Sequence, residues 1–233
     1  MVHPGYRQKG NFFELMKTAH KDNCWTHTDI FFAFPNDNSY RTFEKYGYTL
    51  HSKVTYYQCR EERPSYGISS KYIIKEQEDF SFMNSNKIFS DSGERYINIS
   101  RNKEFLSWRY LQKPDAAYNI FTVEENDSVK GCMVLKKYGN GHSASLHICE
   151  LIVLNDDEAM ITQMILFALN QKNKNNAELL NIFPSSPGIE RAVKKISFER
   201  CAEDRNIVFY KGLNPDESIS SKLRFSLGDN DIF

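Results

Sequence analysis

The sequence predicts an α/β layered fold, and three observations carry that reading. Residues 11–59 show the order helix, strand, helix, strand, as a layered α/β domain requires. The same landmarks return near the other end of the chain. Phe34-Pro35 and Phe183-Pro184, 149 positions apart, each close an apolar strand and open a short helix. Tyr46-Gly47-Tyr48 and Ile196-Ser197-Phe198, 150 positions apart, end those helices. Val2-His3-Pro4 and Val153-Leu154-Asn155, 151 positions apart, precede the longer helix of each set. A near-constant offset reads as an internal repeat. The second copy has a front half, roughly 95–152, and the first has none.

Each element has a local reason. Residues 11–22 carry Phe12, Leu15, Met16 and Ala19 at helical spacing, with Lys17, Lys21 and Asp22 off that face. Residues 28–34 form a short apolar run, read as a buried strand, and Pro35 stops it. Asn36-Asp37-Asn38-Ser39 supplies cap chemistry for a helix to about Tyr46, and Gly47 ends it. Residues 48–59 alternate as a strand. Residues 60–95 are polar and mixed, with room for a strand at 71–76, and read mainly as a connection. Residues 102–112 hold Phe105, Leu106, Trp108 and Tyr110 in a short helix ended by Pro114. Strands follow at 117–124 and 129–138, joined by the turn residues Asn126-Asp127-Ser128, and a third at 143–153. Gly139-Asn140-Gly141 reads as a hairpin turn. A helix at 157–172, a strand at 178–183, a helix at 188–197 and a strand at 206–211 complete the pattern. The tail from Asn214 is polar and reads as loosely held, and Lys172-Asn173-Lys174 as a solvated helix end.

Bulk properties remove several function classes. The chain has 233 residues and zero formal net charge, from 30 basic and 30 acidic residues. No global field recruits nucleic acid or an anionic membrane. No apolar run approaches the roughly 20 residues of a membrane span. Arg7, Lys9 and Lys17 interrupt any apolar core of a signal peptide. The five cysteines, at 24, 59, 132, 149 and 201, are odd in number and widely spaced. That argues against a disulfide framework or zinc site and for a reducing, cytoplasmic setting. Cys132 and Cys149 read as core thiols. The six histidines show no ligand spacing, and no metal is expected.

The most informative stretch is Val2-His3-Pro4-Gly5-Tyr6-Arg7-Gln8-Lys9-Gly10-Asn11-Phe12. It has the form of a strand end, a loop of backbone amides and a helix N-terminus, a combination suited to a pyrophosphate. Gly10 allows close backbone approach, and Arg7 and Lys9 are available to phosphates. Read alone, residues 6–10 are a surface turn with ordinary basic residues, and Asn36 and Ser39 are a helix cap.

Taken together, the two segments resemble the GNAT acyltransferase superfamily. Its loop, Gln/Arg-x-x-Gly-x-Gly/Ala, is matched by Arg7-Gln8-Lys9-Gly10-Asn11-Phe12. Its later Asn-x-x-small segment, before a helix ending in Gly-aromatic, is matched by Asn36-Asp37-Asn38-Ser39 and Gly47-Tyr48. The resemblance covers 2–59 by motif and 95–213 by layout. It implies mixed, mostly antiparallel twisted sheets flanked by helices. It implies acetyl-CoA as co-substrate, held by Val2, Arg7, Gln8, Lys9, Gly10, Asn11 and Phe12, with Asn36 and Ser39 near the pantetheine arm. The implied reaction is direct attack of a small-molecule amine, such as an amino sugar, on the thioester.

The sequence departs from the family pattern in three places. Phe12 stands where the family has a small residue. Phe43 stands where many members carry a Tyr that protonates the leaving thiolate, and Phe has no proton to give. Tyr40 and Tyr46 flank it by one helical turn. The strand before the loop, where a carboxylate often serves as base, would precede Met1. In the second copy, Glu150 of Cys149-Glu150-Leu151-Ile152-Val153 sits where a base could be, but Asn155-Asp156-Asp157-Glu158 replaces the loop. Those acids would repel a pyrophosphate and read as the cap and first turn of the next helix.

The expected organisation is therefore a C-terminal half of a GNAT unit at 1–62, a connection at 63–94, a degenerate GNAT-like unit without cofactor at 95–213, and a tail at 214–233. A missing front half would expose a sheet edge, open to completion by a homo-oligomer or another chain. It equally fits a fragment of a longer acetyltransferase. A catalytically silent binding module is the competing reading, favoured by Phe43 and the second copy.

Overall fold

A computed structural model describes residues 5, 10–19, 31–62, 66–85, 99–114, 116–139, 144–196, 198–210 and 225–229. The chain divides into two units, Met1–Val54 with Glu203–Ser221, and Thr55–Ala202 with Lys222–Phe233.

In the first unit, α1 (Asn11–Ala19) is followed by β1 (Phe31–Ala33), α2 (Asp37–Lys45) and β2 (Tyr48–Cys59), which runs on into the second unit. The predicted order and the bounds of β2 hold. Asn36 and Ser39 start α2 with a reciprocal cap. Ser39 N–H donates to Asn36 Oδ1 at 2.9 Å and Asn36 N–H donates to Ser39 Oγ at 3.0 Å. Each satisfies an amide that helix geometry leaves over. Gly47, at φ +88°, turns the chain out of the helix. Strand β1 pairs antiparallel with β8 (Glu199–Tyr210), through Phe31 with Tyr210 and Ala33 with Val208. The strand predicted at 206–211 is thus twelve residues long and starts at Glu199.

The second unit holds β3 (Ile73–Gln77), α3 (Lys103–Tyr110), β4 (Asn119–Glu125), β5 (Ser128–Tyr138), β6 (Ser145–Val153), α4 (Glu158–Lys174), β7 (Leu179–Ile182) and α5 (Pro187–Lys195). Its strands lie in the order β2-β7-β6-β5-β4-β3. Among the described residues, β2–β7, β5–β6, β4–β5 and β3–β4 pair antiparallel and β6–β7 pairs parallel. The sheet is therefore mixed and mostly antiparallel. Strand β3 answers to the strand allowed at 71–76 within the segment read mainly as a connection, and it forms the sheet edge against β4.

Both faces of this sheet are covered, which explains the near-continuous apolar runs of β4 to β6. On one face, Met160, Ile161, Met164, Ile165, Ala168 and Leu169 of α4, with Ile189, Ala192 and Val193 of α5, pack on Leu135, Leu146, Ile148, Leu180 and Ile182. Each fully buried aliphatic contributes roughly 1.5–3 kcal/mol. On the other face, Phe80, Leu106 and Tyr110 pack on Ile120, Val134 and Cys149.

Lys172 corrects the expectation of a solvated helix end. It is fully buried, and its Nζ donates to the carbonyls of Arg60 at 3.2 Å and Glu61 at 3.0 Å. Its stem crosses the apolar face of α4 while its ammonium closes the chain that leaves β2. The tail is also not loose throughout, because Phe225, Ser226, Leu227 and Gly228 are buried. Among the described residues, no helix is long and apolar enough to cross a membrane.

Candidate functional site

Of the residues predicted to hold a cofactor, Val2, Arg7, Gln8 and Lys9 lie outside the described residues. Gly10, Asn11, Phe12, Asn36 and Ser39 are all in the first unit. Gly10 opens α1, and Glu14 N–H donates to its carbonyl at 3.0 Å. Its φ of +76° favours glycine, and among the described residues a Cβ placed there would meet nothing within 4 Å. The backbone at the helix start is therefore open to close approach. Asn36 and Ser39 are engaged in the cap of α2.

The two departures of this unit from the family pattern touch each other. The rings of Phe12 and Phe43 stand edge to face, with centroids 5.5 Å apart, and Phe43 packs in turn on Tyr48 at 5.0 Å. A bulky ring at position 12 and a ring without hydroxyl at position 43 thus form one apolar contact. Of the flanking tyrosines, Tyr46 packs on Phe13 at 5.3 Å. Tyr40 has its hydroxyl pKa raised by desolvation and by the hydrogen bond and charge of Glu44.

In the second unit, Glu150 is the best-connected polar group. Strict alternation would place it beside Ile148 in the α4 core. A register shift between Val134 and Leu135 leaves Cys149 as an extra residue and turns Glu150 to the α3 face. There Tyr110 Oη donates to Glu150 Oε1 at 2.8 Å, Ser226 Oγ donates to the same oxygen at 2.9 Å, and Arg101 Nε donates to Oε2 at 3.2 Å. Arg101 Nη2 also donates to Asp229 Oδ1 at 2.7 Å, and Asp229 Oδ2 accepts from Ser226 N–H at 2.8 Å. Arg109 Nε reaches the carbonyl of Gly228 at 2.8 Å. Burial raises the Glu150 pKa, and Arg101 opposes that shift. Burial and Glu150 raise the Tyr110 hydroxyl far above its usual range. One guanidinium, Arg101, thus meets two carboxylates in a buried, hydrogen-bonded set, the condition under which buried charge is tolerated. Glu150 anchors the segment 225–229. The sequence placed Glu150 correctly on its strand, but its partners lie 40 to 76 positions away and no local pattern links them.

The acids after β6 act as predicted. Asp157 caps α4, accepting from Met160 N–H at 3.1 Å, and Glu158 stands in the first turn, paired with Arg191 and Lys195. Asp156 has a further role: it accepts from Ser186 Oγ and, at 2.7 Å, from Gly188 N–H, so a carboxylate of the chain sits at the start of α5. Asn155 and Asp156 take positive φ to bring it there. Among the described residues, no group of three or more His, Cys, Asp or Glu could hold a metal ion.

Solved structures share this architecture. A GCN5-related N-acetyltransferase from Anabaena variabilis matches with a TM-score of 0.60 at 12% identity, over 89% of this chain and 52% of that one. The fold is GNAT-like. N-myristoyltransferase of Saccharomyces cerevisiae, solved with myristoyl-CoA, matches with a TM-score of 0.61 at 13% identity, over 95% of this chain and 65% of that one. A tandem GNAT protein from the clavulanic acid biosynthesis pathway matches at 0.56 and 13%, over 93% and 74%. The chain thus spans about half the length of the A. variabilis protein. No family model matches the sequence, and no curated protein matches it by sequence.

Two pairs of elements in the chain have matching bounds. Helices α2 and α5 begin at 37 and 187, each N-capped by the residue before, and β2 and β8 begin at 48 and 199, each with twelve residues. Strand β1 pairs with β8, the strand that follows α5, and β7 pairs with β2, the strand that follows α2.

Proposed function

We propose that this chain is an acyl-CoA-dependent N-acyltransferase, with acetyl-CoA bound by the first unit. The observation that carries the reading is the start of α1. There an open, left-handed Gly10 begins a helix in a GNAT-like fold, directly after the Arg7-Gln8-Lys9 segment. The helix dipole and outward-pointing first-turn amides favour a pyrophosphate, and Arg7 and Lys9 supply charge to it. Val2, Gln8, Asn11 and Phe12 belong to the same stretch of sequence and complete the proposed cofactor contacts, with Asn36 and Ser39 near the pantetheine arm. The acceptor is an amine of a small molecule, in a cytoplasmic setting. Reaction proceeds by direct attack on the thioester, with the protein mainly positioning the reactants.

In the same reading the chain holds two GNAT-like copies that exchange their last strands. The second copy carries no cofactor, because Asp156, Asp157 and Glu158 place carboxylates at the starts of α4 and α5, where a pyrophosphate would have to bind.

Titration of acetyl-CoA into the protein by calorimetry tests the reading. Binding is expected, and it is expected to be lost in Gly10→Glu and weakened in Arg7→Ala/Lys9→Ala. No detectable binding, or binding untouched by these variants, would overturn it. A second reading, a silent binding module, is favoured by the Phe12–Phe43 contact, which leaves no proton donor at position 43. Acetyl transfer to a panel of amines that is lost in Arg7→Ala/Lys9→Ala would exclude it.

A further inference from the structure

The β2–β7–β6–β5 region of the second unit carries a row of polar side chains across one face. Asn181 of β7 stands in register with His147 of β6 on one side and with Gln58 of β2 on the other. His147 stands in register with Lys136 of β5. Partners in register share a face, so Lys136, His147, Asn181 and Gln58 lie side by side, about 4.8 Å apart. Their sequence neighbours Leu146, Ile148, Leu180, Ile182 and Cys59 point to the opposite face, into the α4 core. Polar residues are thus laid across four strands that the α4 face fills with aliphatics.

Burial along the row is graded. His147 and Asn181, at its centre, are buried, while Lys136 and Gln58, at its ends, are partly exposed. Asn181 Oδ1 is buried and has no hydrogen-bond partner among the described residues. Such an acceptor costs about 1–3 kcal/mol unless a donor meets it. Next to the row, Ser145 Oγ and His147 Nε2 are 2.7 Å apart. The Tyr138 ring, half exposed, stands edge to face on the imidazole at 6.0 Å.

We propose that this row is a binding site for an uncharged, hydroxyl-rich ring, a sugar or close analogue. Three features select that chemistry. Asn181 Oδ1 only accepts, so the ligand must bring O–H or N–H. Lys136, whose Nζ lies 5.8 Å from the Tyr138 ring centroid, repels a charged ammonium donor. Tyr138 offers an apolar ring face to the C–H side of a sugar, while Gln58 and Ser145 exchange hydrogen bonds with its hydroxyls. His147 is neutral here, since burial first and Lys136 second push its pKa down to about 4. The site stands apart from acyl-CoA binding, because no residue of it belongs to the first unit.

Saturation-transfer NMR on the whole chain, without CoA, tests the site with D-glucose, N-acetyl-D-glucosamine and D-glucosamine as probes. Glucose and N-acetylglucosamine are expected to bind, with glucosamine at least threefold weaker at pH 7. Asn181→Leu is expected to fold with unchanged or raised melting temperature, since it removes an unmet acceptor, and to weaken binding at least tenfold. Tyr138→Ala, at a half-exposed position, is expected to weaken binding at least fivefold while leaving the fold intact. No transfer to any probe would overturn the proposal, as would tighter binding of glucosamine or affinity unchanged in both variants. A lowered melting temperature of Asn181→Leu would also count against it, by showing that the amide is already satisfied.

Discussion

Gly228→Ala is the sharpest perturbation the second unit offers. A Cβ at Gly228 would lie 1.8 Å from Tyr110 Oη, 2.8 Å from Glu150 Oε1 and 3.0 Å from Tyr110 Cζ. The hydroxyl cannot swing aside cheaply. Tyr110 is buried, its ring packs on Phe80 and Tyr118, and its Oη is bonded to Glu150. Overpacking of this kind costs about 1–3 kcal/mol. Displacing the hydroxyl from Glu150 adds about 1 kcal/mol or more. We expect Gly228→Ala to cost about 3 kcal/mol and to release the segment 225–229. Tyr110→Phe alone removes one hydrogen bond and is expected to cost about 1.5 kcal/mol. In the double variant the closest clash is gone, so the two costs should fall short of additivity by at least about 1 kcal/mol. Urea unfolding of the four proteins measures the coupling, and hydrogen exchange over 225–229 reports the release. Costs that add to within about 0.5 kcal/mol, or full protection of 225–229 in Gly228→Ala, would refute this reasoning.

Other consequences are as direct. Lys172→Met keeps the buried stem but leaves the carbonyls of Arg60 and Glu61 without their ammonium donor. It is expected to cost about 2 kcal/mol by chemical denaturation, and a neutral result would contradict the role assigned to Lys172. His147 has its folded pKa lowered to about 4, below the ordinary 6.5 of the unfolded chain. Its contribution to stability is therefore complete above pH 6.5 and is lost as pH falls toward 4, by at most about 3 kcal/mol. Glu150 has its folded pKa raised and acts in the opposite sense, losing stability as pH rises, so His147 is read from the difference between the parent and His147→Gln. Urea midpoints of the two proteins should diverge between pH 6.5 and 4, and parallel curves would refute the assignment.

The order of elements was legible in the sequence because each carries its own local punctuation. Pro35, Gly47 and the Asn36–Ser39 cap bound β1, α2 and β2 within a residue or two of their observed ends. Helix α5 was legible for the same reason, since Pro184 precedes it and Ser186 caps it. What the sequence hid was set by pairing across long separations. Strand β8 begins seven residues before its apolar stretch, which its polar start, Glu199-Arg200, disguised. Strand β3 was legible only as room for a strand at 71–76, because it is a polar edge strand, with one edge on β4 and Ile73 half exposed. Lys172 looked solvated because helical position alone cannot show that two carbonyls 111 and 112 positions earlier close over it. Glu150 was turned by a bulge, and a bulge leaves no mark in an alternating pattern. In the candidate acyl-CoA site, Gly10 was readable because a left-handed backbone selects glycine. The Phe12–Phe43 contact was not, since each was visible only as a separate departure.

The central claim is that the first unit holds acyl-CoA and the second does not. Hydrogen exchange of the whole chain with and without acetyl-CoA tests it most directly. The account predicts slowed exchange at residues 6–14 and 36–40, with no change at 154–160. Protection confined to 154–160, or none at either place with acetyl-CoA in excess, would contradict it.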